Sequence, residues 1–92
     1  MADIDVKHPH KLTVDEVNKR IEVVATDLSD RYGLKWRWHD DRTVKFEGRG
    51  VKGELVRGAS DVAVKAELPF LLRGLKGQIT ARIETKMKEL LG

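Results

Sequence analysis

The sequence predicts an α+β fold: a single antiparallel β-sheet with two long helices packed on one face, in the order β-α-β-β-β-β-α. Three observations predict it. Apolar residues recur at helical spacing in two stretches, residues 14–32 and 72–90. Between them lie four short alternating runs, each bounded by turn residues. At Leu68-Pro69-Phe70-Leu71-Leu72 the apolar spacing then changes from every second residue to every third or fourth, so a strand ends there and a helix begins.

The elements follow in order. Ile4 and Val6 alternate with Asp3, Asp5 and Lys7, which predicts a short first strand ending at His8-Pro9-His10, because proline cannot donate to a ladder. Thr13-Val14-Asp15-Glu16 is a capping box with Leu12 as its hydrophobic staple. Val14, Val17, Ile21, Val24, Leu28 and Tyr32 form one apolar stripe on the helix that follows, and Gly33 ends it. Asp15 to Lys19, Glu16 to Arg20 and Asp27 to Arg31 are pairs four apart with the acid first, suited to a solvated helix face.

Strands are expected over residues 34–39, 43–47, 51–57 and 62–68, with bends at Asp40-Asp41, Gly48-Arg49-Gly50 and residues 58–61. Such short connections imply a meander, and the favoured strand order is 1-5-4-3-2; the Trp36–Trp38 strand within it also leaves weak nucleic-acid binding as an alternative function. Leu34, Trp36 and Trp38 share the helix-covered face with Val44, Phe46, Val51, Leu55, Val62 and Val64. Lys35, Arg37, Lys45, Glu47, Lys52, Glu54, Lys65 and Glu67 then fall on the opposite, wet face. Gly53 interrupts the inward row, where it makes room for a tryptophan or allows a bulge. The final helix is expected over 70–91, with Gly74 and Gly77 weakening its first turns, so that it starts late, near Leu75, or approaches another backbone closely.

Ninety-two residues make one domain, 1–92, with 40% apolar and 36% charged residues placing it in the globular class. Absence of cysteine excludes a disulfide framework, a thiolate metal site and a cysteine nucleophile. The opening Met1-Ala2-Asp3-Ile4-Asp5 is acidic and lacks the apolar core of a secretory signal, and no run reaches the ~20 apolar residues of a spanning helix. A cytoplasmic protein is expected. A net charge of +3 permits attraction to polyanions without demanding it.

Candidate chemistry is sparse. His8 and His10 offer half a metal site, and His39, Asp40 and Asp41 are its only nearby complement in type, but nothing in the sequence brings the two groups together. Neither Asp40-Asp41 nor Glu47 with Glu54 comes with a pocket to shift proton affinities, and Ser29 and Ser60 lack a nucleophile-elbow setting. No helix starts after Gly48-Arg49-Gly50, so it is not a phosphate loop. No enzymatic activity, cofactor or metal is expected. Trp36-Arg37-Trp38 resembles a single-strand stacking platform, yet both rings fall on the covered face and the basic residues of the open face are diluted by acids, so nucleic acid is not the expected partner.

The run 68–72 leaves Phe70 and Leu71 without assigned partners. One reading tucks them under the first helix as a buried corner. The other makes them an exposed apolar docking lip flanked by Arg73 and Lys76. Two further classes stay open: a small apolar-ligand site of reduced helix-grip type between sheet and terminal helix, with Gly53 and Ala66 leaving little volume, and a homodimer formed through an exposed edge strand.

Asp3-Ile4-Asp5, His8-Pro9-His10, Arg31-Tyr32-Gly33-Leu34, the Trp36–Trp38 strand and the run from Leu68 to Gly77 together resemble, over essentially the whole chain, the small bacterial family of polyhydroxyalkanoic acid system proteins. That family takes its name from gene neighbourhood with polyester storage-granule genes and has no assigned catalytic residues. The resemblance implies a non-enzymatic accessory protein that binds a granule surface or a granule protein. Unlike typical granule-coating proteins, this chain has no long unbroken amphipathic helix and no repetitive tail.

Overall fold

The computed structural model describes residues 3–92, so Met1 and Ala2, used above in the expectation about a secretory signal, lie outside the described residues. The elements run β1 (Ile4–Pro9), α1 (Val14–Tyr32), β2 (Lys35–Trp38), β3 (Thr43–Gly48), β4 (Val51–Arg57), β5 (Asp61–Glu67), a 3-10 turn (Phe70–Leu75) and α2 (Lys76–Leu91). One antiparallel sheet carries all five strands in the order β1-β5-β4-β3-β2, the order the short connections favoured. β1 crosses over α1 to join the far edge, beside the last strand of the meander.

The helix boundaries have local causes. Thr13 caps α1, its Oγ1 accepting from the Glu16 amide at 3.3 Å. Gly33 closes it in the left-handed region at φ 70°, its N–H donating to the Ser29 carbonyl. α2 starts at Lys76 rather than at 70; residues 70–75, uncapped at Pro69 and weakened by Gly74, form only the tighter 3-10 turn. A Cβ at Gly74 or Gly77 would meet nothing within 4 Å, so the late start, and not close backbone approach, accounts for these glycines.

Register places Trp36 against Phe46, Phe46 against Gly53 and Gly53 against Ala66 in one inward row, and Trp38, Val44, Leu55, Val64 and Val6 in the next. Both helices cover this face, α1 over β2 to β4 and α2 over β1. Ile21, Leu28, Leu55 and Met87 are among the fully buried side chains that fill the layer. Gly53 makes room for Phe46, not for a tryptophan: a Cβ there would stand 2.4 Å from the Phe46 ring. The ladder between β3 and β4 runs without a bulge.

Some stripe residues differ from expectation. Val14, the first residue of α1, and Leu75, the last of the 3-10 turn, are exposed, each lying at a helix end. In α2 the buried row is Ile79, Ile83, Met87 and Leu91, while Leu90 is half-buried and its carbonyl accepts from Arg20 at 3.1 Å. Asp27 turns toward α2 rather than toward Arg31, meeting Arg82 at 3.3 Å and Lys86 at 4.0 Å. This contact ties the helices together at a partly shielded site. Asp27→Ala is expected to lower stability by about 1 kcal/mol in urea unfolding, a modest figure because the pair is partly solvated. A change several times larger would show that Asp27 carries more of the helix interface than this contact.

Candidate functional site

The junction between β5 and α2 does not tuck under α1. Leu68 is buried, and its N–H donates to the Asp3 carboxylate at 2.8 Å, which anchors the end of β5 to the start of β1. Pro69 then directs the chain outward, packing against the β3–β4 turn at Gly50. Leu72, whose N–H donates to the Pro69 carbonyl at 2.9 Å, turns back against the core. Phe70 and Leu71, between these anchors, are 82% and 88% exposed, and Leu75 extends the apolar surface at 41%. The buried-corner reading is therefore overturned: among the described residues, no element reaches past the end of the sheet to cover these side chains.

Two large apolar side chains held outward by a turn fixed at both ends form a small, pre-shaped lip. Its flank is basic. Arg73 is mostly exposed and 3.8 Å from Asp3, and Lys76 is exposed at the start of α2. Leu75 belongs to the lip although helical periodicity assigns it to the core. Its only sequence signal is the pair of glycines that delays α2.

The other candidates stay apart. His8 and His10 lie on the β1 edge and the His39–Asp41 turn on the β2 side, four strand spacings or about 19 Å away. No group of three His, Cys, Asp or Glu side chains suited to a metal ion occurs among the described residues. His10 instead holds the loop, its Nδ1 accepting from the Leu12 N–H at 3.2 Å. Trp36 and Trp38 are half-buried on the covered face, at its edge rather than deep within it, and the Trp38 indole N–H donates to Glu22 at 2.7 Å. Rings turned to the covered face do not offer the open stacking surface that a single-strand binder presents.

The open face of the sheet holds a shallow concavity of about 690 Å³. Cross-strand rows there alternate in sign along Asp5, Lys65, Glu54 and Lys45 and along Glu67, Lys52, Glu47 and Lys35, but Arg37 repeats the positive charge of Lys45 at the β2 end of the first row. Opposite charges facing each other across most of these pairs stabilise the sheet, and the acids along both rows dilute the positive end at Arg37 and Lys45. At the β2–β3 turn, the Arg42 N–H donates to Asp40 Oδ1 at 2.8 Å, and this bond holds the Asp40 carboxyl below the ordinary carboxylate range. Since the folded value is the lower one, the turn gains stability above the unfolded value and loses it as pH falls through the folded one. A carbon-detected titration is expected to find Asp40 protonating at a lower pH in the folded chain than in the unfolded one; an unshifted titration would show that the turn bond does not persist in solution.

No helix among the described residues is long and apolar enough to cross a membrane. A family model described as "Putative polyhydroxyalkanoic acid system protein" matches residues 4–91. No curated protein and no solved structure matches the chain.

Proposed function

The chain belongs to the polyhydroxyalkanoic acid system protein family, and from that premise we propose that it is a non-enzymatic accessory protein of polyester storage, docking on the granule surface in the cytoplasm through Phe70 and Leu71. The observation that carries this reading is the exposure of those two side chains on a turn anchored at both ends. Full burial of two such side chains provides about 3–6 kcal/mol at most, enough for reversible attachment to an apolar surface and too little for permanent coating. Arg73 and Lys76 add attraction to an anionic coat.

A cavity between sheet and helices would favour the helix-grip alternative, but that space is filled by Leu28, Leu55 and Met87. The test is co-sedimentation of the intact chain with granules isolated from polymer-accumulating cells, compared with granules stripped of their proteins. Recovery with both supports docking on the surface itself. Recovery only with unstripped granules assigns the lip to a granule protein, and recovery with neither overturns the reading.

A further inference from the structure

We propose that the chain forms a two-fold homodimer by antiparallel pairing of β1 with β1 of a second copy, centred on Val6. This surface is separate from the Phe70 lip and does not rest on the granule reading. The phase of the existing ladder sets which backbone groups are free. The His10 N–H donates to the Ser60 carbonyl at 2.9 Å, in the register that pairs His8 with Val62, Val6 with Val64 and Ile4 with Ala66. Hydrogen-bonded pairs alternate along an antiparallel ladder, so these even-numbered residues face β5. Asp5 and Lys7 therefore turn both N–H and C=O toward the open edge.

Charge then selects one register. With Val6 on the axis, Asp5 stands opposite Lys7 of the second copy and Lys7 opposite its Asp5, each pair exchanging two backbone hydrogen bonds. Moving the axis by one residue in either direction, a relative slip of two residues, confronts Asp5 with Asp5 or Lys7 with Lys7. Lys7 has the stronger need of a partner, because its own cross-strand neighbour is Ala63. The opposite edge of the sheet refuses the same arrangement. β2 centred on Trp36 sets Lys35 against Arg37, and centred on Arg37 sets that residue against itself. Pro9 lacks an N–H and limits the seam to its central residues.

The covering layer is compatible. α2 turns Ile79, Ile83 and Met87 to the sheet and Arg82 and Lys86 to α1. At 100° per residue its remaining flank, the one that would meet α2 of the second copy, carries Gly77, Thr80, Glu84 and Lys88, the first two small enough to let helix axes approach at that end.

Sedimentation equilibrium over a rising concentration series tests the proposal. The parent chain is expected to dimerise. Asp5→Lys and Lys7→Asp, each placing like charges across the seam, are expected to weaken association at least tenfold, and the double exchange D5K/K7D to restore it. Circular dichroism checks that each variant folds. Should Asp5→Lys disturb its neighbour Lys65, Lys7→Asp carries the test, since Ala63 offers it no charge to lose. A monomeric parent, single variants that still dimerise, or a double exchange that stays monomeric would each overturn the proposal.

Discussion

A chain with serine at both 70 and 71 is expected to fold as the parent does and to lose recovery with polyester granules. Both side chains are almost fully exposed, so removing their apolar surface takes nothing from the core, and the anchors that shape the turn, Leu68, Pro69 and Leu72, stay in place. The lost contact is worth about 3 kcal/mol or more if both side chains are buried on the surface, a hundredfold or greater drop in affinity. Far-UV circular dichroism and the unfolding midpoint should match the parent, which separates failed docking from failed folding. Arg73→Glu with Lys76→Glu should weaken recovery only at low salt, because exposed charges are screened over roughly 10 Å at 0.1 M. Undiminished recovery of the double serine variant would remove Phe70 and Leu71 from the proposed function.

Gly53→Ala is expected to be strongly destabilising for the addition of a single methyl group. Its Cβ would stand 2.4 Å from the Phe46 ring and 3.0 Å from the Lys65 carbonyl oxygen, the first a buried ring and the second fixed backbone. Neither can yield without disturbing the ladder or the layer beneath α1. Overpacking of this kind costs about 1–3 kcal/mol, which for a domain of this size lowers the midpoint by roughly 4–8 °C per kcal/mol. Phe46→Leu shortens the offending side chain, so the double variant G53A/F46L should be less destabilised than the sum of the two single changes. Strict additivity would show that the ring and the glycine do not share the space assigned to them.

The family resemblance and the fold were legible in the same residues. The Thr13 cap, the left-handed Gly33 and the change of period at Leu68 are local signals; α1 and the strands formed where they placed them, within a residue or so, while α2 began at Lys76 rather than at 70. The candidate site was half legible. Unassigned apolar residues at 70 and 71 marked the junction, but periodicity placed Leu75 in the core stripe, and only the shortened α2 exposes it.

What the sequence determined by itself was the alternation of faces, the element order and, through short connections, the neighbours within the β2–β5 meander, because these depend on contacts close along the chain, whereas β1 meets β5 from the opposite end of the chain. What the tertiary structure alone decided was which apolar residues remain uncovered and which aromatic ring fills the gap at Gly53. Those outcomes depend on where distant elements end in space: α1 stops short of the β5–α2 junction, and cross-strand register brings Phe46, not a tryptophan, beside Gly53. Periodicity identifies a side chain that seeks cover, and the packed layers determine whether any cover reaches it.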